Sequence, residues 1–184
     1  MRPTTLIPLV LAPCATAIAT PAVNARDDAA CAPISYTISN YTLTTSPSSG
    51  TVAFTFKSNF SDSGDIIDAV QNGACCSASG ASVPNANACE VPGRRLLFDL
   101  RGPQEQAYYQ ITHTWTCEGF SCFWSVFYEP ELIHLCDRST WMSGNAVKID
   151  PLTCHTEGET RICTGGPLTV TPQNVRRICA TPNC

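Results

Sequence analysis

The sequence predicts a mostly β fold, a single antiparallel β-barrel or sandwich domain stapled by disulfides, and three observations carry that prediction. Apolar residues recur with a period of two, turn-forming residues punctuate the chain at short intervals, and there are 12 cysteines in 184 residues. A strand turns successive side chains to opposite faces, so alternation marks a ribbon with one buried side. Many short ribbons separated by turns pack as sheet on sheet or as a closed barrel.

The chain opens differently. Arg2 precedes an apolar run from Leu6 to Ala19, and small residues follow. That is the layout of a secretory signal. Cleavage after Ala19 or after Ala25 fits, and Ala25 is preferred because Arg26, Asp27 and Asp28 then open a polar mature chain. The run is shorter than the ~20 apolar residues of a membrane span, and Pro8 and Pro13 interrupt it. A soluble, secreted, extracellular protein is expected. Removing residues 1–25 from 184 leaves 159, enough for one cysteine-rich domain over 26–171 and a tail, 172–184, pinned by its cysteines.

The strand candidates follow in order. ISYTISNYTLT covers residues 34–44. In TVAFTFKS, Val52, Phe54 and Phe56 alternate with Ala53, Thr55 and Lys57. RRLLFDL ends at Leu100. In AYYQITHTWTC, Tyr109, Ile111, His113, Trp115 and Cys117 share one side. Isoleucine, threonine and aromatics suit a pleated, half-buried surface. CFWSVFY, ELIHLC, AVKID and LTVT complete the set. Turn signals stand between them: Pro47-Ser48-Ser49-Gly50, Pro92-Gly93, Arg101-Gly102-Pro103, Ser143-Gly144-Asn145 and Gly165-Gly166-Pro167. Residues 58–92, rich in Asp, Ser, Gly, Asn and Ala, read as a long loop with one helical turn near 65–70. Cys75, Cys76 and Cys89 would hold that loop where packing cannot.

Charge excludes two partner classes. The net charge is −4, and losing Arg2 with the signal makes it about −5. With only Lys57 and Lys148 as lysines, the chain lacks the basic field that nucleic acids require and the polybasic patch that anionic membranes attract.

GxSxG, HExxH and the Gly-rich phosphate loop are all missing from the sequence. The histidines are His113, His134 and His155. His113 sits between Ile111 and Trp115 on an apolar side, where a hydrogen-bonded core histidine is the default. Asp62, Asp65 and Asp68 recur every third residue without the alternating ligands and closing Glu of a calcium loop. CxxC knuckles for zinc are absent too. No metal and no cofactor is expected.

The cysteines carry the most information. Cys14 leaves with the signal, and the eleven that remain, an odd number, read as a disulfide framework in an exported chain. Cys117 and Cys122 flank Glu118-Gly119-Phe120-Ser121, and a hairpin there would let them bridge. Cys154 and Cys163 bracket HTEGETRI as a second local candidate. Cys89 reaches back to Cys75 or Cys76. The partners of Cys136, Cys179 and Cys184 stay open. Cys31, ahead of the first strand, is the natural odd thiol, and a bridge through it would make a covalent homodimer. Asn40-Tyr41-Thr42 and Asn59-Phe60-Ser61 are sequons, so Asn40 and Asn59 are candidate glycosylation sites.

RDDAACAPISYTISNYTL, the alternating strand after it, and GACCSAS together resemble the fungal secreted β-barrel family typified by the major allergen of Alternaria. The likeness is best over residues 26–100 and 150–171. It implies Cys31 as a dimer-bridging cysteine, Cys75 or Cys76 with Cys89 as a first intrachain bridge, and Cys154 with Cys163 as a second. It also implies a barrel without known enzymatic activity, of the allergen, effector or elicitor type, which engages a host extracellular protein or a small ligand. The reading is therefore a non-catalytic secreted binding protein. Two alternatives stand beside it. One is a small hydrolase using His113 or His134 with Glu129 or Glu131. The other is a carbohydrate-binding module.

Overall fold

The structure, a computed structural model, describes residues 31–61, 66–124 and 134–178, with 119–124 and 134–137 described by backbone alone. Twelve strands occur among them. The first sheet contains β1 (Ser35–Ser46), β2 (Ser49–Asn59), β4 (Ala74–Gly80), β9 (Leu152–Glu157), β10 (Thr160–Gly165) and β11 (Leu168–Val170). Its order is β4-β2-β1-β10-β9, with β11 also pairing β1. The second contains β3 (Ile66–Ile67), β5 (Asn87–Ala88), β6 (Leu96–Leu100), β7 (Tyr108–Trp124), β8 (His134–Lys148) and β12 (Arg176–Ile178). Its order is β12-β8-β7-β6-β5, with β3 on β7. Every pairing is antiparallel. Among the described residues no ladder joins the two sheets, so the mostly β fold takes its sandwich form rather than a closed barrel.

Alternation explains how the sheets face one another. Tyr36, Ile38, Leu43, Val52, Phe54 and Phe56 from the first sheet meet Leu96, Phe98, Tyr109, Ile111 and Val147 from the second in one core. Phe54 and Phe98 contact edge to face, 5.0 Å between ring centroids. Burying each such side chain stabilises the fold by about 1.5–3 kcal/mol relative to exposing it. A smaller cluster of Cys31, Ile66, Trp115, Cys117 and Trp141 extends the core. Trp115 Nε1 donates to the Cys31 carbonyl at 2.7 Å, which ties the segment before β1 onto β7.

Several expectations change. The loop over 58–92 contains a strand, β4, which pairs with β2 along seven positions. Ala74 and Cys76 face inward there, but such small side chains leave little apolar periodicity to read. Residues 66–70 make the short strand β3 and a turn in place of a helical turn. Ser143-Gly144-Asn145 is no turn, since β8 runs straight through it. Ser143 and Asn145 point inward, and buried hydrogen bonds rather than a turn account for their polarity. Cys117 and Cys122 do not flank a hairpin. They lie on one strand, β7, whose pairing with β8 skips register between Glu118 and Cys122. Of CFWSVFY and ELIHLC, only Cys122–Trp124 and His134–Cys136 fall among the described residues, as the far ends of β7 and β8. The signal segment, residues 1–25, lies outside them.

Candidate functional site

His113 is the sequence-predicted residue with the most chemistry around it. Alternation along β7 drives it inward, and it is 0% exposed. Its Nε2 lies 3.0 Å from Asp68 Oδ1, and the Asp68 side chain is equally closed to solvent. Its Nδ1 lies 3.1 Å from the Tyr36 hydroxyl, which lies 2.7 Å from Ser143 Oγ. Asn145 Nδ2 donates to Ser143 Oγ at 2.9 Å. Ser58 Oγ and the Val70 amide donate to the two oxygens of Asp68. With a proton on His113 Nε2, one direction of donation closes the whole chain: Asn145 to Ser143, Ser143 to Tyr36, Tyr36 to His113, His113 to Asp68. The ring stacks on Trp115 with centroids 5.0 Å apart.

Burial works against ionising the Asp68 carboxyl. His113, Ser58 and the Val70 amide outweigh burial and hold its pKa below the usual carboxylate value. Burial raises the pKa of Tyr36 above the ordinary phenol value, and likewise those of Tyr41 and Tyr109, whose hydroxyls pair at 2.8 Å. The network has the members of a nucleophile–base–acid set in the wrong arrangement. Ser143 reaches Tyr36 rather than the imidazole, and neither His113 nor Ser143 presents exposed surface. What it does is lock β1, β7, β8 and the 66–70 segment together, and each buried polar group in it has a partner. The sequence singled out His113 but not Asp68, Tyr36 or Ser143 as its partners, because no spacing links residues that meet only when the sheets stack.

Concave surface lies elsewhere. A groove of about 720 Å³ opens where the end of β8 crosses to β9, beside the short turn at Gln104–Gln106. Its apolar lining includes Ile149, Leu152, Cys154 and Tyr108. Glu105, Lys148, Asp150 and Arg161 line the rim, so both signs of charge are present. Ile149 is 3% exposed, whereas Tyr108 is 36% exposed and open to a ligand. The sequence named Cys154 only as a bridging cysteine and Lys148 only as one of two lysines, and nothing in it grouped these residues, since three separate stretches of chain contribute them.

The cysteines resolve partly. Cys76 bonds Cys89, which settles the alternative with Cys75, and Cys154 bonds Cys163 across the β9–β10 hairpin. Cys31 bonds Cys117 within the chain, with a Cα–Cα separation of 5.8 Å. This corrects two expectations at once. Cys117 is not joined to Cys122, and Cys31 is buried and consumed, so no second chain can be linked through it. The reason is tertiary: Trp115 binds the Cys31 carbonyl and brings that residue over Cys117. Cys75, on the outward side of β4, is the exposed free thiol among the described cysteines. Cys122 and Cys136 are backbone register partners, and Cys179 and Cys184 lie outside the described residues.

Other predicted residues scatter. His134 begins β8, with only its backbone described, and Glu129 and Glu131 lie outside the described residues, as do Asp62 and Asp65. His155 is exposed and pairs with Glu157 at 3.2 Å, a contact of little energetic weight on a surface. Among the described residues no three His, Cys, Asp or Glu side chains converge on an ion position, and no helix is long and apolar enough to cross a membrane.

No family profile matches the chain, and no curated protein does. Among solved structures it is similar to the crystal structure of the major allergen Alt a 1 of Alternaria alternata, with a TM-score of 0.45 and 10% identity over 80% of this chain and 97% of that one.

Proposed function

We propose that the protein is a non-catalytic, extracellular binding protein of the allergen- or effector-like kind. Its ligand is a small molecule with an apolar ring system and acidic substituents, held in the groove between β8 and β9. The observation that supports this reading most is the groove's chemistry: an exposed aromatic residue beside apolar lining, with Lys148 and Arg161 to meet acidic groups and Glu105 and Asp150 to accept from hydroxyls. The three intrachain disulfides among the described residues fit an oxidising compartment outside the cytosol. The burial of the His113 network supports a structural rather than a hydrolytic role for that constellation.

Titration with a panel of hydroxylated aromatic acids, followed by backbone amide NMR shifts, tests the reading. Shifts should gather at Tyr108, Lys148, Leu152 and Arg161. Tyr108→Ala or Arg161→Ala should weaken binding about tenfold, the equivalent of ~1.4 kcal/mol. Shifts elsewhere, or turnover of RNA or a glycan that His113→Phe abolishes in a folded protein, would overturn it.

A further inference from the structure

We infer that Asn40 carries an N-linked glycan in the secreted protein and that Asn59 does not. Both lie in Asn-x-Ser/Thr triplets, but the fold treats their amides differently.

Asn40 interrupts β1. Its φ is +54°, in the left-handed region that Asn tolerates better than most residues, and the pairing of β1 with β2 skips register between Ser39 and Thr42. The other neighbour of β1 changes at the same level. Tyr41 pairs with Gly165 on β10 and Ile38 pairs with Leu168 on β11, so Gly165-Gly166-Pro167 lies opposite the bulge. Two of those three residues are glycines, and a hollow of about 270 Å³ is lined by that segment. The Asn40 side chain is exposed, and its single hydrogen bond, from Nδ2 to Thr55 Oγ1, is long at 3.4 Å. Around it the outward face of the sheet is a carpet of small hydroxyl and methyl groups. Thr153, Thr164, Thr42, Ala53 and Ser77 stand in register across five strands. Nothing bulky or charged in that row stands in the path of a sugar.

Asn59 is half-buried at the end of β2. Its Nδ2 lies within 3.1 Å of both Ser35 Oγ and Thr37 Oγ1 and 3.4 Å from the Ser35 carbonyl. Its neighbour Phe60 packs against Trp115, with ring centroids 6.0 Å apart. An amide nitrogen bearing a sugar keeps one hydrogen, so modification would remove part of this anchor and force a sugar against β1.

The transfer itself takes an oligosaccharide linked to a lipid pyrophosphate as donor. The Asn40 Nδ2 forms a bond to the anomeric carbon as the bond from that carbon to the pyrophosphate oxygen breaks. Lipid pyrophosphate departs and the nitrogen loses one proton.

Expression in a eukaryotic secreting host, alongside a secreted protein of known glycosylation, tests the inference by intact mass before and after peptide N-glycosidase. One glycan should be released, and peptide mapping should find the resulting aspartate at position 40. Thr42→Ala leaves the left-handed residue in place and should abolish the glycan, as should Asn40→Gly, which tolerates the same backbone. Asn59→Gln should retain the glycan. A glycan at Asn59, or an unmodified Asn40 while the companion protein is modified, would overturn the inference.

Discussion

Asp68→Ala is the substitution whose consequence follows most directly from the structure. The carboxylate accepts from three buried or half-buried donors: His113 Nε2, Ser58 Oγ and the Val70 amide. An unsatisfied buried donor costs about 1–3 kcal/mol, and breaking a buried pair by removing one partner costs about 3–5 kcal/mol. A loss of about 3–5 kcal/mol at neutral pH is therefore expected. At roughly 2–4 °C per kcal/mol for a chain of this size, the melting temperature should fall by roughly 6–20 °C. Pairing the change with His113→Phe removes the stranded ring nitrogen, so the double variant should be more stable than the sum of the two losses allows. The pH dependence has a definite sign. Because the folded pKa of Asp68 is depressed, its contribution is present above the ordinary carboxylate value of about 4 and is lost as pH falls through the folded value. Urea unfolding of wild type and variant should thus show a gap at neutral pH that narrows in strong acid. A neutral-pH loss below about 1 kcal/mol, or a gap that does not change with acid, would refute the assignment of Asp68 as the anchor of the network.

Three further outcomes are expected. Replacing Cys31 and Cys117 together by serine opens a bridge with sequence separation 86, and replacing Cys154 and Cys163 opens one with separation 9. Loop entropy predicts losses of about 4.6 and about 2.6 kcal/mol, so denaturation should rank the first pair as the costlier, and the reverse order would be inconsistent with this bridge assignment. Alkylation of the folded protein should label Cys75 and spare Cys31, Cys76, Cys89, Cys117, Cys154 and Cys163, as peptide mapping would read. Tyr36, Tyr41 and Tyr109 have raised pKa values, so ultraviolet titration should show them ionising only as the fold opens. Their neutral form is favoured in the folded state, so stability should fall as pH rises past about 10, the unfolded phenol value.

The sequence by itself determined which segments are strands wherever one face is fully apolar. The alternation from Tyr109 to Cys117 and from Val52 to Phe56 survives intact, because period-two burial is a local consequence of the pleat. It offered the Cys154–Cys163 bridge as a local candidate for a similar reason, since a nine-residue separation closes within one hairpin. The strand at Ala74–Gly80 was hidden by small residues, and Ser143-Gly144-Asn145 looked like a turn because sequence cannot tell a polar residue in a turn from one hydrogen-bonded in a core. Only tertiary structure decided that Cys31 belongs to Cys117, that Asp68 and Tyr36 complete His113, and that Tyr108, Lys148 and Arg161 border one groove. Each of those contacts joins residues tens of positions apart, and their distance is fixed by how two sheets stack rather than by any spacing along the chain.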